Sequence, residues 1–290
     1  MRYEVCRINE CSTKPIDMQN PSDPRPYFGK QEPEYAEGGP FGRPVRPYET
    51  MGEFSVLPGT TTPETTGPRG PVFRDRRHAG HILAERLARY RGRDDVFVLG
   101  LPRGGVPVAY EVAKALKAPL DVFVVRKLGV PGHEELAMGA VANGNLQVLN
   151  DDVIKSLEIP EEIIESAARR QLEELKRQQE AYRGNRSPPN IDWQIVILVD
   201  DGLATGSSMR AAIAAIKHRR PKRLVVAVPV GAAATCEVLR DEVDEVVCVA
   251  TPADFMAVGI WYENFTPTSD EEVHYLLSDP QISRTDDKSE

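Results

Sequence analysis

The sequence predicts an α/β domain in which a central, mainly parallel sheet is flanked by helices. The segment "IVILV" at 195–199 is apolar throughout, and such a strand needs cover on both faces, as a parallel sheet provides. Other short apolar strands alternate with amphipathic helices, which is the pattern of right-handed strand-helix-strand units. Asp200 and Asp201 follow the strand directly, so we expect them at the carboxyl edge of the sheet, where ligands bind in α/β domains.

The first half of the domain contains two strand-helix units and a hairpin. Apolar residues at helical spacing predict a helix within 74–90, and "DVFVLG" predicts a buried strand that ends at Gly100. A glycine turn, "LPRGGVP", then leads to a helix over about 108–116 and a strand, "LDVFVV". Because Asn-Gly accepts positive φ readily, "GAVANGNLQVLN" predicts a hairpin that turns at 143–145.

The second half begins with a long helix opened by Pro160, whose apolar stripe is interpreted as core packing. After the strand at 195–199 we expect a helix from Ser207 to about His218, a strand "RLVVAVPV", a helix near 232–241 and a strand "EVVCVA". The domain is therefore expected to span 74–277. The apolar stripe of the long helix that Pro160 opens consists of Ile163, Ile164, Ala167, Leu172 and Leu175.

Composition changes sharply near residue 71. Residues 1–71 form a leader rich in Pro and Gly, with half of the chain's 24 prolines and almost no apolar periodicity. Such a segment buries too little surface to order itself, so we expect disorder, with a partner-binding segment that orders on contact as the alternative. Residues 278–290 are expected to be a polar tail.

Charge and hydropathy exclude several classes of protein. The net charge of -8 argues against a general nucleic-acid binder, which usually carries a basic stripe. No apolar run approaches the roughly 20 residues of a membrane helix. Near the N-terminus the polar segment "RINECSTK" stands where a secretory signal peptide would have its apolar stretch, so a cytoplasmic protein is expected. Cys6 and Cys11 are expected to be free thiols. Cys236 falls in a predicted helix and Cys248 in a predicted strand, without metal-binding spacing.

The stretch "DDGLATGSS" combines the features of an anion site with two acids. Gly202 and Gly206 allow a tight turn, and Thr205, Ser207 and Ser208 add hydroxyl donors where a helix begins. The adjacent carboxylates would repel a bare phosphate but would accept hydrogen bonds from hydroxyl groups, which together favours a sugar phosphate. A capped helix, with Thr205 or Ser207 as the cap, is the structural alternative.

Two other phosphate-binding motifs do not fit: no lysine follows the second glycine, and the glycines near 100–105 lack dinucleotide spacing. The stretch instead resembles the phosphoribosyl-diphosphate (PRPP) loop of type I phosphoribosyltransferases. The resemblance implies that fold, with a hood segment, and implies that Asp200 and Asp201 hold the ribose 2- and 3-hydroxyls. The 5-phosphate would lie in the turn formed by Gly202, Leu203, Ala204, Thr205, Gly206 and Ser207.

Two further segments carry the resemblance. "GLPRGGVPVA" resembles the pyrophosphate loop of the family, which implies diphosphate contacts for Arg103, Gly104 and Gly105; a simple strand-to-helix turn is the alternative. "RKLGVPGHEELAMGAVANG" resembles a mobile hood loop. Arg126 and Lys127 would clamp the diphosphate there, unless they are ordinary surface charges. The chain is most similar to little-characterised bacterial and archaeal phosphoribosyltransferases with these motifs.

The resemblance implies an enzyme that moves ribosyl 5-phosphate from PRPP to an acceptor, commonly a nucleobase, and releases pyrophosphate. Mg²⁺ is expected as a cofactor bound mainly through PRPP, with no protein metal site of its own. The expected partners are PRPP and a small acceptor, with no nucleic acid or membrane, and a homodimer is considered. A regulatory protein that senses PRPP or a nucleotide without turnover is the alternative function.

The acceptor is the least constrained part of the prediction. In 6-oxopurine enzymes an aspartate precedes the loop threonine, but Ala204 stands there, so hypoxanthine-guanine activity is not expected. Glu134 or Glu135 of the hood is the candidate proton-handling acid, as in adenine enzymes, with the neighbouring His133 as an alternative. The segment "DFMAVGIWYENF" supplies Phe255, Trp261, Tyr262 and Phe265, which either stack on a planar base or form a packing lid over a sheet edge.

Overall fold

The computed structural model describes residues 4–7, 72–143, 146–184, 186 and 188–282, and for Glu4–Arg7, Glu134 and Glu135 it describes the backbone alone. All of these residues belong to one compact unit, 1–13 with 67–290, and the second unit, 14–66, lies outside the described residues. Within the leader, Glu4–Arg7 form a strand (β1), so the predicted disorder is wrong for these four residues. For the other residues of 1–71 the prediction lies outside the described part of the chain.

The central sheet has five parallel strands in the order β3-β2-β7-β8-β9. Its middle strand, β7, is buried at every position because it has a neighbour on each side and helices on both faces. The prediction of a mainly parallel sheet is therefore confirmed. The strands are β2 (Val96–Gly100), β3 (Leu120–Val122), β7 (Ile195–Val199), β8 (Arg223–Val230) and β9 (Glu245–Ala250).

The helices connect these strands in the expected alternation. One predicted boundary is wrong: the helix expected from Val108 begins at Gly105, because the backbone turns into helical geometry directly after Gly104 and the Gly105 N–H donates to the Leu101 carbonyl. The helices are α1 (Arg76–Arg86), α2 (Gly105–Leu116), α3 (Asp151–Ser156), α4 (Glu161–Arg183), α5 (Ser207–His218), α6 (Ala233–Arg240) and α7 (Asp270–Leu277).

A second sheet replaces the expected mobile loop. The segment "LDVFVV" splits, because β3 ends at Val122 and the chain then enters this second sheet. The "hood loop" is an antiparallel hairpin with register shifts near Gly129 rather than a loop. The sheet order is β1-β6-β5-β4, with β1 parallel to β6. Its other strands are β4 (Val125–Val130), β5 (His133–Ala142) and β6 (Leu146–Leu149).

The long helix α4 packs on the second sheet, and α5 packs on it as well. Of the predicted apolar stripe on α4, four residues are buried, but Ile163 is 39% exposed. Ile163 lies next to Ile164 in the sequence, and since neighbours on a helix point about 100° apart, only one of them can follow the buried stripe. Ile164, Ala167, Leu172 and Leu175 form the buried side.

The domain continues past its predicted end at residue 277. Ile282 is buried, and its carbonyl accepts a hydrogen bond of 2.9 Å from the Leu120 N–H of β3. The polar tail expected from residue 278 therefore begins later than predicted, because 278–282 close one edge of the central sheet. Across the described ranges, none of the helices combines the length and the apolarity that a bilayer crossing requires.

Candidate functional site

The acidic pair lies where β7 ends, in contact with the glycine turn that follows β2. A side chain on Gly104 would overlap Asp201 Oδ2, and one on Gly105 would approach Asp200 Cα and the Val199 carbonyl to 2.8 Å. The sequence places glycine at both positions, so the two turns touch without obstruction. The residues predicted for the ribose and for the diphosphate are therefore neighbours.

Arg76 is a third member of the acidic site that sequence reasoning missed. Its Nε donates to Asp201 Oδ2 at 2.9 Å, and its Nη1 donates to the Thr266 carbonyl at 2.7 Å. The guanidinium carbon lies 3.9 Å from the centroid of the Phe265 ring. These contacts fix the guanidinium on three sides, so Arg76 holds one carboxylate in place.

Burial makes both carboxyls hard to ionise, and repulsion by Asp201 adds to this effect at Asp200. Burial raises the pKa of Asp200 well above its usual range, and the neighbouring charge of Asp201 raises it further. Burial also raises the pKa of Asp201, while the charge of Arg76 opposes this shift. The Asp201 N–H donates to Asp200 Oδ1 at 2.8 Å. A ligand that donates hydrogen bonds from hydroxyl groups, or that brings a cation, would stabilise the ionised form of both carboxyls.

Residues at the start of α6 pack against the turn from Gly202 to Ser207 and form hydrogen bonds with it. Leu203 exchanges backbone hydrogen bonds with Val230 and Ala232, and the Thr235 hydroxyl donates to the Ala204 carbonyl at 2.6 Å. Gly206 adopts a φ of +71°, which favours glycine, and a Cβ there would approach Thr235 Cγ2 to 2.8 Å. The turn is therefore braced by its neighbours.

The capped-helix alternative does not describe this turn. The N-cap of α5 is Gly206, and within the described residues no side chain makes a capping hydrogen bond to this helix. The Thr205 and Ser207 hydroxyls lie 3.1 Å apart and are exposed. The first N–H groups of α5 are thus available to an anion, with two hydroxyls beside them.

Trp261 and Tyr262 are part of the core rather than an open platform. Trp261 is 8% exposed and Tyr262 is 5% exposed. The Tyr262 ring packs against Phe73 and Phe265, with centroids 5.3 and 5.0 Å away, and its hydroxyl donates to the Asp201 carbonyl at 2.5 Å. The packing-lid alternative therefore describes these two residues, because their ring faces are covered. Phe255 is partly exposed.

The segment before Trp261 covers the acidic turn. A Cβ on Gly202 would overlap the Val258 side chain, so the short 3₁₀ helix Val258–Trp261 lies directly against the start of the turn from Gly202 to Ser207. Phe255 and Val258 pack at the edge of the same hydrophobic cluster as Phe73. The C-terminal segment thus borders the site as the sequence suggested, although two of its aromatic rings face inward.

Arg126 and Lys127 point in opposite directions, as neighbours on a strand do. Arg126 Nε donates to Gln171 Oε1 of α4 at 2.6 Å. Lys127 lines a cleft of about 290 Å³ between the second sheet and α5, together with Thr205, Ser207 and Arg210. In this structure Arg126 is therefore held by α4 and does not face the cleft that Lys127 lines, and the joint clamp of a diphosphate by the two cations stays a prediction.

Arg103 lies at the exposed corner of the glycine turn, after a cis peptide bond from Pro102. Its Nη1 is 3.7 Å from Asp270 Oδ1 at the start of α7, and the Tyr182 hydroxyl donates to the same oxygen. Glu134 and Glu135 lie in β5, and the structure describes nothing of their side chains. Their role in proton transfer stays a prediction.

The described residues contain no group of three or more His, Cys, Asp or Glu that could hold a metal ion. The acidic pair supplies hard carboxylate oxygens, which Mg²⁺ accepts, but a Mg²⁺ site built from two carboxylates would need further oxygens from a bound molecule. This donor set fits a metal that arrives with a phosphorylated substrate.

Residues 75–261 match a family model described as the phosphoribosyl transferase domain. A Mycobacterium tuberculosis H37Rv protein, Rv0571c, provisionally named a phosphoribosyl transferase, is 49% identical over 206 residues, 71% of this chain and 46% of that protein. The chain therefore spans about half the length of that relative. The bifunctional protein PyrR of Clostridium acetobutylicum is 29% identical over 150 residues, 51% of this chain and 64% of PyrR.

A solved structure gives a similar result. The crystal structure of TT1426 from Thermus thermophilus superposes with a TM-score of 0.65 at 45% identity. The match covers 71% of this chain and 97% of TT1426. The likeness extends over nearly the whole TT1426 chain, so the fold described above is shared with it.

Proposed function

Because the chain belongs to the phosphoribosyl transferase family, we propose that it transfers ribosyl 5-phosphate from PRPP to an acceptor and releases pyrophosphate. One observation carries the proposal: the acidic pair touches the Gly104–Gly105 turn on one side and continues into the start of α5 on the other. A single ligand that carries a diphosphate, a ribose and a phosphate could thus contact all three segments.

Each segment has a distinct role in the proposed reaction. Asp200 and Asp201 accept hydrogen bonds from the ribose 2- and 3-hydroxyls, while the α5 N-terminus with Thr205 and Ser207 binds the 5-phosphate. Arg103 and the turn N–H groups bind the diphosphate. The bond from ribose C1 to the diphosphate oxygen breaks, the diphosphate leaves with the electron pair, and C1 bonds to the acceptor nitrogen.

The two carboxylates also suit the charge that develops in this reaction. Positive charge grows on the ribose ring as the diphosphate leaves, and two buried carboxylates beside the ring stabilise that charge. Arg76 favours the ionised form of Asp201 and fixes the orientation of its carboxylate. Mg²⁺, when bound with PRPP, would neutralise charge on the diphosphate, and Asp200 and Asp201 are the described residues that would contact it.

Lys127 is assigned to the 5-phosphate end of the ligand rather than to the diphosphate. Support comes from the cleft that Lys127 shares with Thr205 and Ser207. An ammonium group in that position adds positive charge beside the Thr205 and Ser207 hydroxyls, while Arg210 of the same cleft is paired with Glu242. The diphosphate is assigned to Arg103. On binding, the diphosphate would replace Asp270 as the partner of this guanidinium.

We propose a nucleobase as the acceptor, bound beside the segment that covers Gly202. Phe255 is its candidate contact, because it is partly exposed, whereas the Phe265 ring is contacted by the Arg76 guanidinium and by Tyr262. Glu134 or Glu135 would handle the proton of the base, as the family resemblance implies. Ala204 supplies no acid at the loop, which argues against a 6-oxopurine acceptor.

Pyrophosphate release tests this function directly. The protein is incubated with PRPP and Mg²⁺, and each purine and pyrimidine base is added separately. In the wild type we expect one base to stimulate pyrophosphate release, and adenine is the first candidate. In the Asp200→Asn/Asp201→Asn variant we expect no base to stimulate it. If PRPP binds but no base stimulates release, nucleobase transfer is wrong and PRPP sensing without turnover is favoured.

A further inference from the structure

Two cysteines lie together directly behind the phosphate turn. Cys236, in the first turn of α6, is 1% exposed, whereas Cys248 of β9 is partly exposed. A Cβ on Gly231 would lie 2.8 Å from Cys236 Sγ and 3.5 Å from Cys248 Sγ. Both sulfurs therefore approach the same point, and the absence of a side chain at Gly231 leaves room for them.

The two thiols interact with each other. The proximity of Cys248 is the main cause that lowers the pKa of the Cys236 thiol, burial opposes this shift, and the charge of Arg240 adds to it. The Cys248 thiol itself donates to the Ala250 carbonyl at 3.2 Å. The same pairing, together with burial, raises the pKa of Cys248. A thiolate therefore forms more readily on Cys236, and the thiolate is the reactive form of cysteine.

The cysteine pair is mechanically connected to the phosphate turn. Thr235, the residue before Cys236, donates to the Ala204 carbonyl and contacts Gly206. Leu203 bridges to Gly231, which separates the two sulfurs from the turn. A movement of the first turn of α6 would thus reach the backbone that is proposed to bind phosphate.

We propose that Cys236 and Cys248 form a reversible disulfide under peroxide stress, and that this bond weakens phosphate binding at the turn. The Cys236 thiolate displaces hydroxide from hydrogen peroxide and becomes a sulfenic acid. The Cys248 sulfur then attacks that sulfur, and water leaves. In total, two thiols are oxidised to one disulfide, and one hydrogen peroxide is reduced to two waters.

Disulfide formation requires the structure to adjust. A disulfide holds its sulfurs about 2.05 Å apart, closer than two non-bonded thiols, so bond formation would draw Cys236, and with it the first turn of α6, towards β9. Thr235 moves with Cys236, and its hydrogen bond to Ala204 is the contact most directly affected. The disulfide itself is independent of the proposed function, whereas its effect on binding rests on the phosphate role of the turn.

A peptide map tests the bond. The full chain carrying Cys6→Ser and Cys11→Ser is treated with hydrogen peroxide, alkylated and digested with trypsin, which separates the two cysteines by cutting after Arg240. We expect a cross-linked pair of peptides, 224–240 with 241–284, that dithiothreitol separates. If both cysteines remain fully alkylated, or if only higher oxides form, the proposed disulfide is wrong.

Titration with ribose 5-phosphate tests the consequence. We expect oxidation to weaken its binding at least fivefold, dithiothreitol to restore it, and a Cys248→Ser variant with an unchanged melting temperature to be insensitive to peroxide. Equal affinities of the oxidised and reduced protein would refute the coupling. If the reduced protein does not bind ribose 5-phosphate at all, the proposed function fails, while the peptide map still decides on the disulfide.

Discussion

Asp201 receives contacts from three distant parts of the chain. Arg76 holds its carboxylate, Gly104 makes room for it, and the Tyr262 hydroxyl binds its carbonyl. Asp200 has Asp201 as its nearest charge, with burial as the larger influence on its pKa. The two acids are therefore unequal at the residue scale: one is anchored by a cation, and the other depends on its neighbour and on the ligand.

Arg76→Ala is expected to weaken PRPP binding about tenfold or more, because a hydrogen bond between charged groups contributes about 1.5–3 kcal/mol. Burial raises the pKa of Asp201 and Arg76 lowers it, so loss of Arg76 should raise that pKa further. If PRPP binding needs the ionised Asp201, the pH at which PRPP affinity is half-maximal should then be higher in the variant than in the wild type. PRPP titrations between pH 5.5 and 8.5 measure this shift. A parallel pH profile in wild type and variant would contradict it, and Arg77→Ala, on the exposed side of α1, is the control.

Arg103 and Lys127 should separate the two ends of the ligand. Arg103→Ala is expected to weaken PRPP binding by about tenfold and ribose 5-phosphate binding little, since Arg103 is assigned to the diphosphate. Lys127→Ala should weaken both ligands by a similar factor, because both carry the 5-phosphate. Calorimetric titration of each variant with each ligand measures the four changes. Equal losses of both ligands in Arg103→Ala would remove its diphosphate role, and Arg126→Ala is the matched control.

At this scale the sequence predicted what is local and missed what is distant. Asp200, Asp201 and the turn to Ser207 are contiguous, so one stretch contains the whole pattern. Arg76 lies 125 residues from its partner, and only the "RDRR" cluster at a helix start could have drawn attention to it. Arg126 and Lys127 were expected to act together, but alternation along β4 directs Arg126 to α4.

The contact between two turns is the central feature at the scale of elements. The strands β2 and β7 are adjacent and parallel, so the turns that follow them emerge at the same edge of the sheet. Gly104 and Gly105 then allow these turns to approach closely. The site therefore depends on the absence of two side chains as much as on the presence of the acids.

Gly104→Ala and Gly105→Ala should have different effects. At Gly104 the new methyl group overlaps the end of a side chain, Asp201 Oδ2, so we expect PRPP binding to be lost with a small change in melting temperature. At Gly105 it meets backbone atoms of Val199 and Asp200, and overpacking of this kind destabilises by about 1–3 kcal/mol. Calorimetry and thermal unfolding of both variants test this. Full PRPP affinity in Gly104→Ala would contradict the close contact.

Trp261→Ala and Phe255→Ala distinguish the lid from the platform. Trp261 is in the core, and removal of such a ring destabilises by about 3–5 kcal/mol. Phe255 is partly exposed, so Phe255→Ala should lower the melting temperature less and should raise the KM for the acceptor. Thermal unfolding with acceptor kinetics measures both effects. A stable Trp261→Ala protein with a weakened acceptor would restore the stacking role of Trp261.

The hairpin of β4 and β5 shows where local patterns mislead at this scale. Around its turn stand Gly129, Pro131 and Gly132, which favour a loop. The flanking strands nevertheless pair with each other, and β5 pairs further with β6. Cross-strand pairing overrides the local signal, because it satisfies the backbone hydrogen bonds of the segment.

For the whole molecule, the α/β class followed from the sequence because its signals repeat: apolar strands, amphipathic helices and turns in regular alternation. The second sheet followed only in part: its β5–β6 hairpin was predicted, whereas the pairing of β4 with β5 and the addition of β1 from a distant region of the chain were not. The parallel pairing of Glu4–Arg7 with Leu146–Leu149 joins distant tetrapeptides, and nothing in either one specifies the other. Long-range pairing of this kind is determined by the assembled fold.

Titration calorimetry with PRPP and Mg²⁺ tests the central claim most directly. The wild type should bind PRPP, and the Asp200→Asn/Asp201→Asn variant should lose measurable binding while it unfolds at a similar temperature, because asparagine preserves the shape of both side chains. Its matched control is Asp192→Asn, a change of the same type on an exposed surface of the same domain. Equal PRPP affinity in the wild type and the double variant would contradict the account.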